Sequence, residues 1–306
     1  MVADVGGTNS RFGLSRNGEL MAGSIESFRN NDFPSFDSAM TRYLSHREDT
    51  RISDAVVAVA GPVHAGKARL TNRDWHFEEA QLSHRIGGHP SALLNDLSAL
   101  GQASGFLQPE SLDPVFLPAQ AEGEGGQALV IGVGTGFNVS PVMITNRRVA
   151  NLNVEYGHIS LPVDIAAMIG ERYGDAAPDF ATIEQVFSGR GYAALSELDM
   201  AHFARKEGQN PKALPQFEQD FEAFYAAILA ILTRNLMLAF LPRRGIFFAG
   251  GVARNLLMSP AKTTFAEIVQ RPFALNTVRM APVHTILDDA AALKGCALYS
   301  NQSVSG

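Results

Sequence analysis

The sequence predicts an α/β protein built as two lobes, and three observations carry that prediction. Apolar runs of strand length recur along the chain, at 55–60, 92–94, 128–133 and 245–249, and unbroken runs of this kind mark strands buried on both faces. Other stretches carry helical spacing, as where Phe36, Met40 and Leu44 stand four residues apart. The chain is 306 residues long, more than a single hydrophobic core normally spans.

In chain order, 2–5 reads as the tail of a strand running straight into a glycine turn. Phe12-Gly13-Leu14 reads as a second strand, and Asn17-Gly18 is a hairpin signal because both residues tolerate positive φ. A helix is expected over 34–44, a strand over 55–60, and another over 92–94 that ends at Asn95-Asp96. Polar, glycine-rich sequence at 121–126 leads into the strand at 128–133. Beyond about residue 160 the pattern turns mainly helical, over 165–173, 183–188, 191–207 and 217–241. The strand at 245–249 leads through Gly250-Gly251 into a new helix, and 288–299 forms an alanine-rich helical tail. The expected division is a smaller α/β lobe of 1–106 with 287–306, and a larger α+β lobe of 107–286.

Composition narrows the function. Apolar residues make up 46% and charged residues 18%, enough for buried cores and incompatible with a disordered chain. A net charge of −6 without a basic run argues against nucleic acid or an anionic membrane as the main partner. Cys296 is the only cysteine, so an intrachain disulfide and a cysteine-built zinc site are both excluded, which suits a reducing cytoplasm. The longest apolar run, 224–241, is interrupted by Thr233-Arg234-Asn235, which favours a buried helix over a membrane span. No basic stretch precedes an apolar segment at the N-terminus, so no targeting signal is expected.

The chemistry lies in the turns that leave the strands. Asp4-Val5-Gly6-Gly7-Thr8-Asn9 offers paired glycines whose freedom at φ > 0 would let backbone N–H groups curl around an anion. Thr8 and Asn9 add side-chain donors, and Asp4 places a carboxylate where hydrated Mg²⁺ could sit. Gly132-Val133-Gly134-Thr135-Gly136 repeats these ingredients after another strand. Gly250-Gly251 follows a third and opens a helix, whose N-terminal N–H groups favour a phosphate or a nucleotide edge. A single turn of this sort is more often a plain hairpin; three, each leaving an apolar strand, point to a nucleotide. Asp96 stands at a strand end, where a carboxylate can accept the proton of an attacking hydroxyl, although Asn95-Asp96 also reads as an ordinary helix cap. Glu155, His158 and Glu184 supply acceptors and a donor suited to a polyhydroxyl ring. His158 alone would read as a core histidine, and Glu184 as a carboxylate serving a helix start.

Two patterns mislead. Gly61-Pro62-Val63-His64-Ala65-Gly66-Lys67-Ala68 approaches the P-loop pattern, but Ala68 has no hydroxyl for Mg²⁺, so a hairpin is expected. The Gly132 turn lacks the G-x-G-x-x-G spacing of a dinucleotide fold.

Taken together, these motifs resemble those of the bacterial glucokinase family, within the sugar kinase, hsp70 and actin superfamily, from Asp4 to about Gly295. The resemblance implies a two-lobed actin-like ATPase fold, ribonuclease H-like, with a ligand cleft between the lobes. It implies an ATP-dependent, Mg²⁺-requiring hexokinase that phosphorylates the 6-hydroxyl of glucose. Asp4, Gly6, Gly7, Thr8, Asn9, Gly132, Gly134, Thr135 and Gly136 would hold ATP on its phosphate side and Gly250 and Gly251 on its adenosine side, with Asp4 reaching Mg²⁺ through water. Asn95, Asp96, Glu155, His158 and Glu184 would bind the sugar, with Asp96 as catalytic base, and Leu70-Thr71-Asn72 with Trp75 matches a further family segment. Small-molecule sugar and ATP are the expected partners, and the resemblance leaves room for a homodimer. The chain departs from the family pattern at Tyr156, where glycine is usual, and at Phe137-Asn138, where Leu-Gly is usual. Those departures keep a kinase for another hexose in view. A sugar-sensing regulator of the same fold is the remaining alternative, and its usual N-terminal DNA-binding helices have no place before Asp4.

Overall fold

The computed structural model describes residues 1–47, 49–70, 73–119, 126–145, 148–207, 215–275 and 278–304. The chain is mixed α/β and divides into two compact units, Met1–Leu107 with Arg147–Asn151 and Asp288–Gly306, and Gln108–Asn146 with Leu152–Leu287.

In the first unit a sheet runs in the order Ser91–Asn95, Ala55–Val59, Val2–Val5, Asn9–Gly13, Glu26–Arg29. The first three strands are parallel to one another, and Asn9–Gly13 returns antiparallel to Val2–Val5. Alternate side chains serve two separate cores, as period-2 geometry requires. Ala3, Val5, Val57 and Val59 face a cluster that includes Phe12, Phe36, Tyr43 and Trp75. Val2, Val56 and Ala58 face Ala99, Leu293, Cys296 and Ala297 on helices Asp96–Ser104 and Ala291–Val304. The strand Arg148–Asn151 belongs to this unit: Gln102 donates to Val149 O (3.2 Å) and to Asn151 Oδ1, and Asn151 donates to Ser98 O (2.9 Å). Two hairpins sit where turn chemistry places them. Asn17 and Gly18 have φ of 54° and 82°, and Ala65 and Gly66, inside the false P-loop, have φ of 49° and 70°.

The second unit carries Leu112–Phe116, Val283–Ile286, Gly245–Ala249, Gly126–Val133 and Phe137–Thr145, adjacent in that order. Val283–Ile286, Gly245–Ala249 and Gly126–Val133 are parallel, and Phe137–Thr145 returns antiparallel to the last of them. The sequence reading missed Phe137–Thr145, and Pro141 within it explains why: it lacks the N–H a ladder needs and argues against an inner strand. Helix Pro215–Phe240 threads this unit's core, with Phe221, Tyr225, Ile228, Leu229, Leu232 and Leu236 buried. Its stretch Gln219–Phe240 is long and apolar enough to cross a membrane, and half of that window is buried within the fold. The cation in mid-helix has a structural use: Arg234 donates to Ile268 O (3.4 Å) and Val269 O (3.0 Å), the carbonyls at the end of helix Lys262–Val269.

Helices Asp96–Ser104 and Ala291–Val304 pack backbone to backbone at Gly295, where a Cβ would lie 1.8 Å from Ala99 O. Gly295→Ala gains helix propensity of about 1 kcal/mol and nevertheless is expected to lose roughly 1–3 kcal/mol net through overpacking. Urea unfolding reads this directly, and an unchanged or raised midpoint would contradict the close packing.

Candidate active site

Parallel strands point their carboxyl ends the same way, and in the first unit this gathers one group of residues. Asp4 and Leu94 both pair with Ala58, so Asp4 and the Asn95-Asp96 step leave the sheet at the same edge. Asn95 is the N-cap of the following helix: its Oδ1 accepts from Leu97 N (3.0 Å) and its Nδ2 donates to Gly61 O (3.1 Å). The Leu97 N–H is shared, because Asp96, the first helical residue, accepts from it as well (2.9 Å). Burial pushes the Asp96 carboxyl up to about 6, against the stabilising backbone N–H groups and Asn95. Asp4 is also pushed up to about 6, by burial first and by the charge of Asp96 second, while Arg11, 3.8 Å away, opposes the rise.

The turn between Val5 and Ser10 is a tight hairpin whose backbone has the form an anion cradle would take. Gly6 N donates to Asn9 O (3.0 Å). Asn30, fully buried, braces the turn from inside: its N–H donates to Thr8 O (2.8 Å), its Nδ2 to Gly6 O (2.8 Å), and its Oδ1 accepts from Ser10 Oγ (2.7 Å). A trans peptide aims its C=O and N–H in opposite directions. Drawing the carbonyls of Gly6 and Thr8 toward Asn30 therefore turns the N–H groups of Gly7 and Asn9 away from it, as an anion cradle needs. Asp4 and Asp96 supply hard oxygen donors, a chemistry that fits Mg²⁺ shared with substrate phosphates better than an all-protein cage. Among the described residues no cluster of three or more His, Cys, Asp or Glu could hold a metal by itself.

In the second unit four segments meet at the end of strand Gly126–Val133. Gly134 N donates to Gly136 O (3.0 Å) across the turn, and Gly189 N donates to Gly134 O (2.6 Å) from the start of helix Gly189–Glu207. Glu184, on the short helix Ile183–Val186, accepts from Phe137 N through Oε2 (3.1 Å), and Arg190 stands 3.6 Å from its Oε1. Glu155 caps the single turn Tyr156–His158, and both Glu155 and His158 are solvent-exposed. Gly157 lets that turn dock: a Cβ there would fall 2.2 Å from Phe137 O and 3.4 Å from Glu184 Cβ. Gly250 lies against the same strand end, where a Cβ would meet Val133 O at 2.4 Å.

The sequence-expected residues thus fall into two groups. Asp4, Gly6, Gly7, Thr8, Asn9, Asn95 and Asp96 come together in the first unit, and Gly132, Gly134, Thr135, Gly136, Glu155, His158, Glu184, Gly250 and Gly251 in the second. The expected reason for the glycines needs correction. Of those named, only Gly250 has a left-handed φ, at 95°. At Gly136 a Cβ would sit 2.8 Å from Glu184 Oε2, so a larger residue would push that carboxylate aside, and Gly132 lies in the strand opposite Asn138 rather than in the turn. Tyr156, expected to crowd the sugar ligands, turns its ring onto Phe240 (5.6 Å between centroids) at the edge of the core. Thr71 and Asn72 lie outside the described residues. Asn30 was missed, because a single asparagine reads only as a turn former.

Comparison with known proteins gives one answer. The family profile described as Glucokinase matches residues 1–303. A glucokinase of Hahella chejuensis is 28% identical, over 99% of this chain and 98% of its own length. Among solved structures, a glucokinase from an Antarctic psychrotroph superposes with a TM-score of 0.79 at 26% identity, covering 97% of each chain. A ROK family glucokinase from Streptomyces griseus, solved with glucose and AMPPNP, gives 0.62 at 18% identity over 98% of both chains and shares the fold.

Burial of Asp96 has a measurable consequence. Its folded pKa, about 6, lies above the ordinary 3.8, so the folded chain holds the extra proton between those values. Stability contributed by this group therefore falls as pH rises through that window and stays lower above it. Asp96→Asn is expected to stabilise the fold at pH 7.5 by about 1–2 kcal/mol after allowance for solvent screening, and to gain little at pH 4.5. Thermal unfolding at the two pH values tests the sign; a variant less stable than the parent at pH 7.5 would contradict it.

Proposed function

The chain belongs to the glucokinase family, and from that premise we propose that it is an ATP-dependent glucokinase, transferring the γ-phosphoryl group of ATP to the 6-hydroxyl of glucose to give glucose 6-phosphate and ADP. The observation that carries the reading is Asp96: an acid at a rigid strand end, beside the capping Asn95 and held near 6 by burial. Phosphoryl transfer asks a protein mainly for positioning and charge neutralisation, plus one group to take the hydroxyl proton. Asp96 takes that proton as the hydroxyl oxygen approaches the γ-phosphorus. Asn95 keeps one lone pair on Oδ1 beyond its bond from Leu97, enough to accept from a neighbouring sugar hydroxyl.

The remaining sugar contacts come from the second unit. Glu155, His158 and Glu184 stand around one strand end and offer two carboxylates and an imidazole to ring hydroxyls, so that an analogue lacking a hydroxyl leaves a polar group unpaired. In the first unit the N–H groups of the hairpin turn would take phosphate oxygens of ATP; in the second the Gly134–Gly136 loop would take phosphate and Gly250-Gly251 would serve the adenosine side. Mg²⁺, entering with ATP, would be held by its phosphates and by Asp4 through water, and supplies charge neutralisation at the phosphates. Glucose is favoured over another hexose because Tyr156, the departure that would reshape the sugar site, packs on Phe240 instead.

Turnover on a panel of hexoses, with the product assayed as the 6-phosphate, is expected to be highest with glucose and to require Mg²⁺. Asp96→Asn should lower kcat by about 10²-fold or more while glucose KM changes little, because the amide still meets a hydroxyl. In the parent enzyme kcat/KM for glucose should fall tenfold per pH unit below about 6, where Asp96 gains its proton. Near-normal turnover of the Asp96→Asn enzyme would remove Asp96 from the mechanism, and a folded chain that phosphorylates no hexose would favour the sensor reading.

A further inference from the structure

We propose that Asn138 is a positioning residue that fixes the Glu155 carboxylate for glucose, an inference that rests on the reading of Glu155 as a sugar ligand. Asn138 lies on strand Phe137–Thr145, directly across from Gly132, which has no side chain to compete for the same space. Its amide reaches over to the segment that carries Glu155. The Nδ2 group donates to Val154 O (2.9 Å) and to Glu155 Oε2 (3.1 Å), and Oδ1 accepts from Tyr156 N (3.0 Å) and Val139 N (2.9 Å). A primary amide has two N–H donors and two oxygen lone pairs. All four are engaged here, which fixes the orientation of the amide and leaves it nothing to offer a sugar.

The partners say what the arrangement does. Val154 O and Tyr156 N are the main-chain groups on either side of Glu155, so Asn138 grips the backbone before and after that residue as a neighbouring strand would, and holds the carboxylate as well. Glu155 is otherwise an exposed glutamate with several rotatable bonds. Its freedom would have to be given up each time a sugar bound, and a side chain held in the bound geometry beforehand avoids that loss. Two further contacts keep the segment in place: Gly157 against Phe137 O, at a spacing that excludes a Cβ, and Tyr156 against Phe240. Asn138 differs from them in reaching the carboxylate itself. Its effect should appear in sugar affinity, through Glu155, and not in the handling of ATP.

A double-mutant cycle in the full chain separates positioning from simple support of the fold. Asn138→Ala is expected to raise glucose KM roughly tenfold, the size of a lost hydrogen bond to a charged group, with ATP KM unchanged and kcat within about twofold. Asn138→Asp keeps an acceptor for Tyr156 N and Val139 N while setting a second anion against Glu155; it should raise glucose KM further. With the carboxylate already gone, in Glu155→Ala, adding Asn138→Ala should change glucose KM by less than about threefold. The inference is overturned if Asn138→Ala lowers thermal stability and leaves glucose KM unmoved, or if its full effect persists in the Glu155→Ala enzyme. If Glu155→Ala leaves glucose KM at the parent value, the ligand assignment of Glu155 fails and the inference with it. A raised KM in Glu155→Ala beside a normal one in Asn138→Ala defeats the inference alone.

Discussion

Main chain meets main chain at the end of strand Gly126–Val133 at distances that leave no room for a side chain, and the placement of the second unit's candidate site residues depends on that constraint. A Cβ at residue 250 would lie 2.4 Å from Val133 O, and one at residue 157 would lie 2.2 Å from Phe137 O. Gly189 N approaches Gly134 O to 2.6 Å. Each contact docks a different segment on the same hairpin: the turn that bears Glu155 and His158, the corner just after Glu184, and the Gly250-Gly251 turn. The functional side chains are thus placed by backbone seated on backbone, which is stiffer than side-chain packing because peptide groups have no rotamers to change. Replacing any of these glycines would move a whole segment, and a ligand group with it.

The two units repeat one device. In each, three parallel strands end at the same edge and the last passes through a tight turn into an antiparallel partner, Val2–Val5 into Asn9–Gly13 and Gly126–Val133 into Phe137–Thr145. In each, an asparagine amide braces the functional segment. Asn30 ties the carbonyls of Gly6 and Thr8, and Asn138 ties Val154 O, Tyr156 N and the Glu155 carboxylate. An amide suits this work because it donates and accepts side by side, matching the two faces of a peptide. At Asn30 it also adds no charge next to a turn proposed to receive a polyanion, where a carboxylate would repel and a lysine would compete for the phosphates.

Much of the fold was legible because its central strands are buried on both faces and so appear as unbroken apolar runs, Ala55–Val59 and Gly245–Ala249 among them. The strands that were missed or misplaced have mixed surroundings. Glu26–Arg29 alternates half-buried and exposed positions in only four residues, and the strand expected at Phe12-Gly13-Leu14 begins earlier, at Asn9, with polar residues that belong equally to a turn. In the candidate site, residues with a chemical signature could be singled out from the chain, carboxylates at strand ends and glycines in turns. Their supports could not. Nothing local distinguishes Asn30, which meets partners at positions 6, 8 and 10, or Asn138, which meets partners some sixteen residues away. The glycines were found for a reason that holds only at Gly250, whose φ is left-handed and whose Cβ would strike Val133 O; Gly6, Gly134 and Gly251 have ordinary clearance.

The Asn95-Asp96 pair shows how one short segment serves folding and chemistry with separate residues. A helix that begins at a strand end needs its first N–H groups satisfied, and aspartate is a good cap. Had Asp96 itself been the cap, its carboxylate would have been held by several backbone N–H groups, which lowers a pKa and weakens a base. Asn95 supplies the cap with a neutral amide, and burial raises the Asp96 pKa to about 6 even against its hydrogen bonds from backbone N–H groups and from Asn95. An acid at that value is still largely ionised at neutral pH, yet it is a stronger base than an exposed aspartate by roughly two orders of magnitude. Asp4 adds to this balance. Its charge repels that of Asp96, and a cation brought in with the phosphates would relieve the repulsion just as the substrates assemble. On the proposed function, Mg·ATP arriving at the acidic edge of the first unit would offset the repulsion between Asp4 and Asp96 and leave Asp96 available for the sugar hydroxyl.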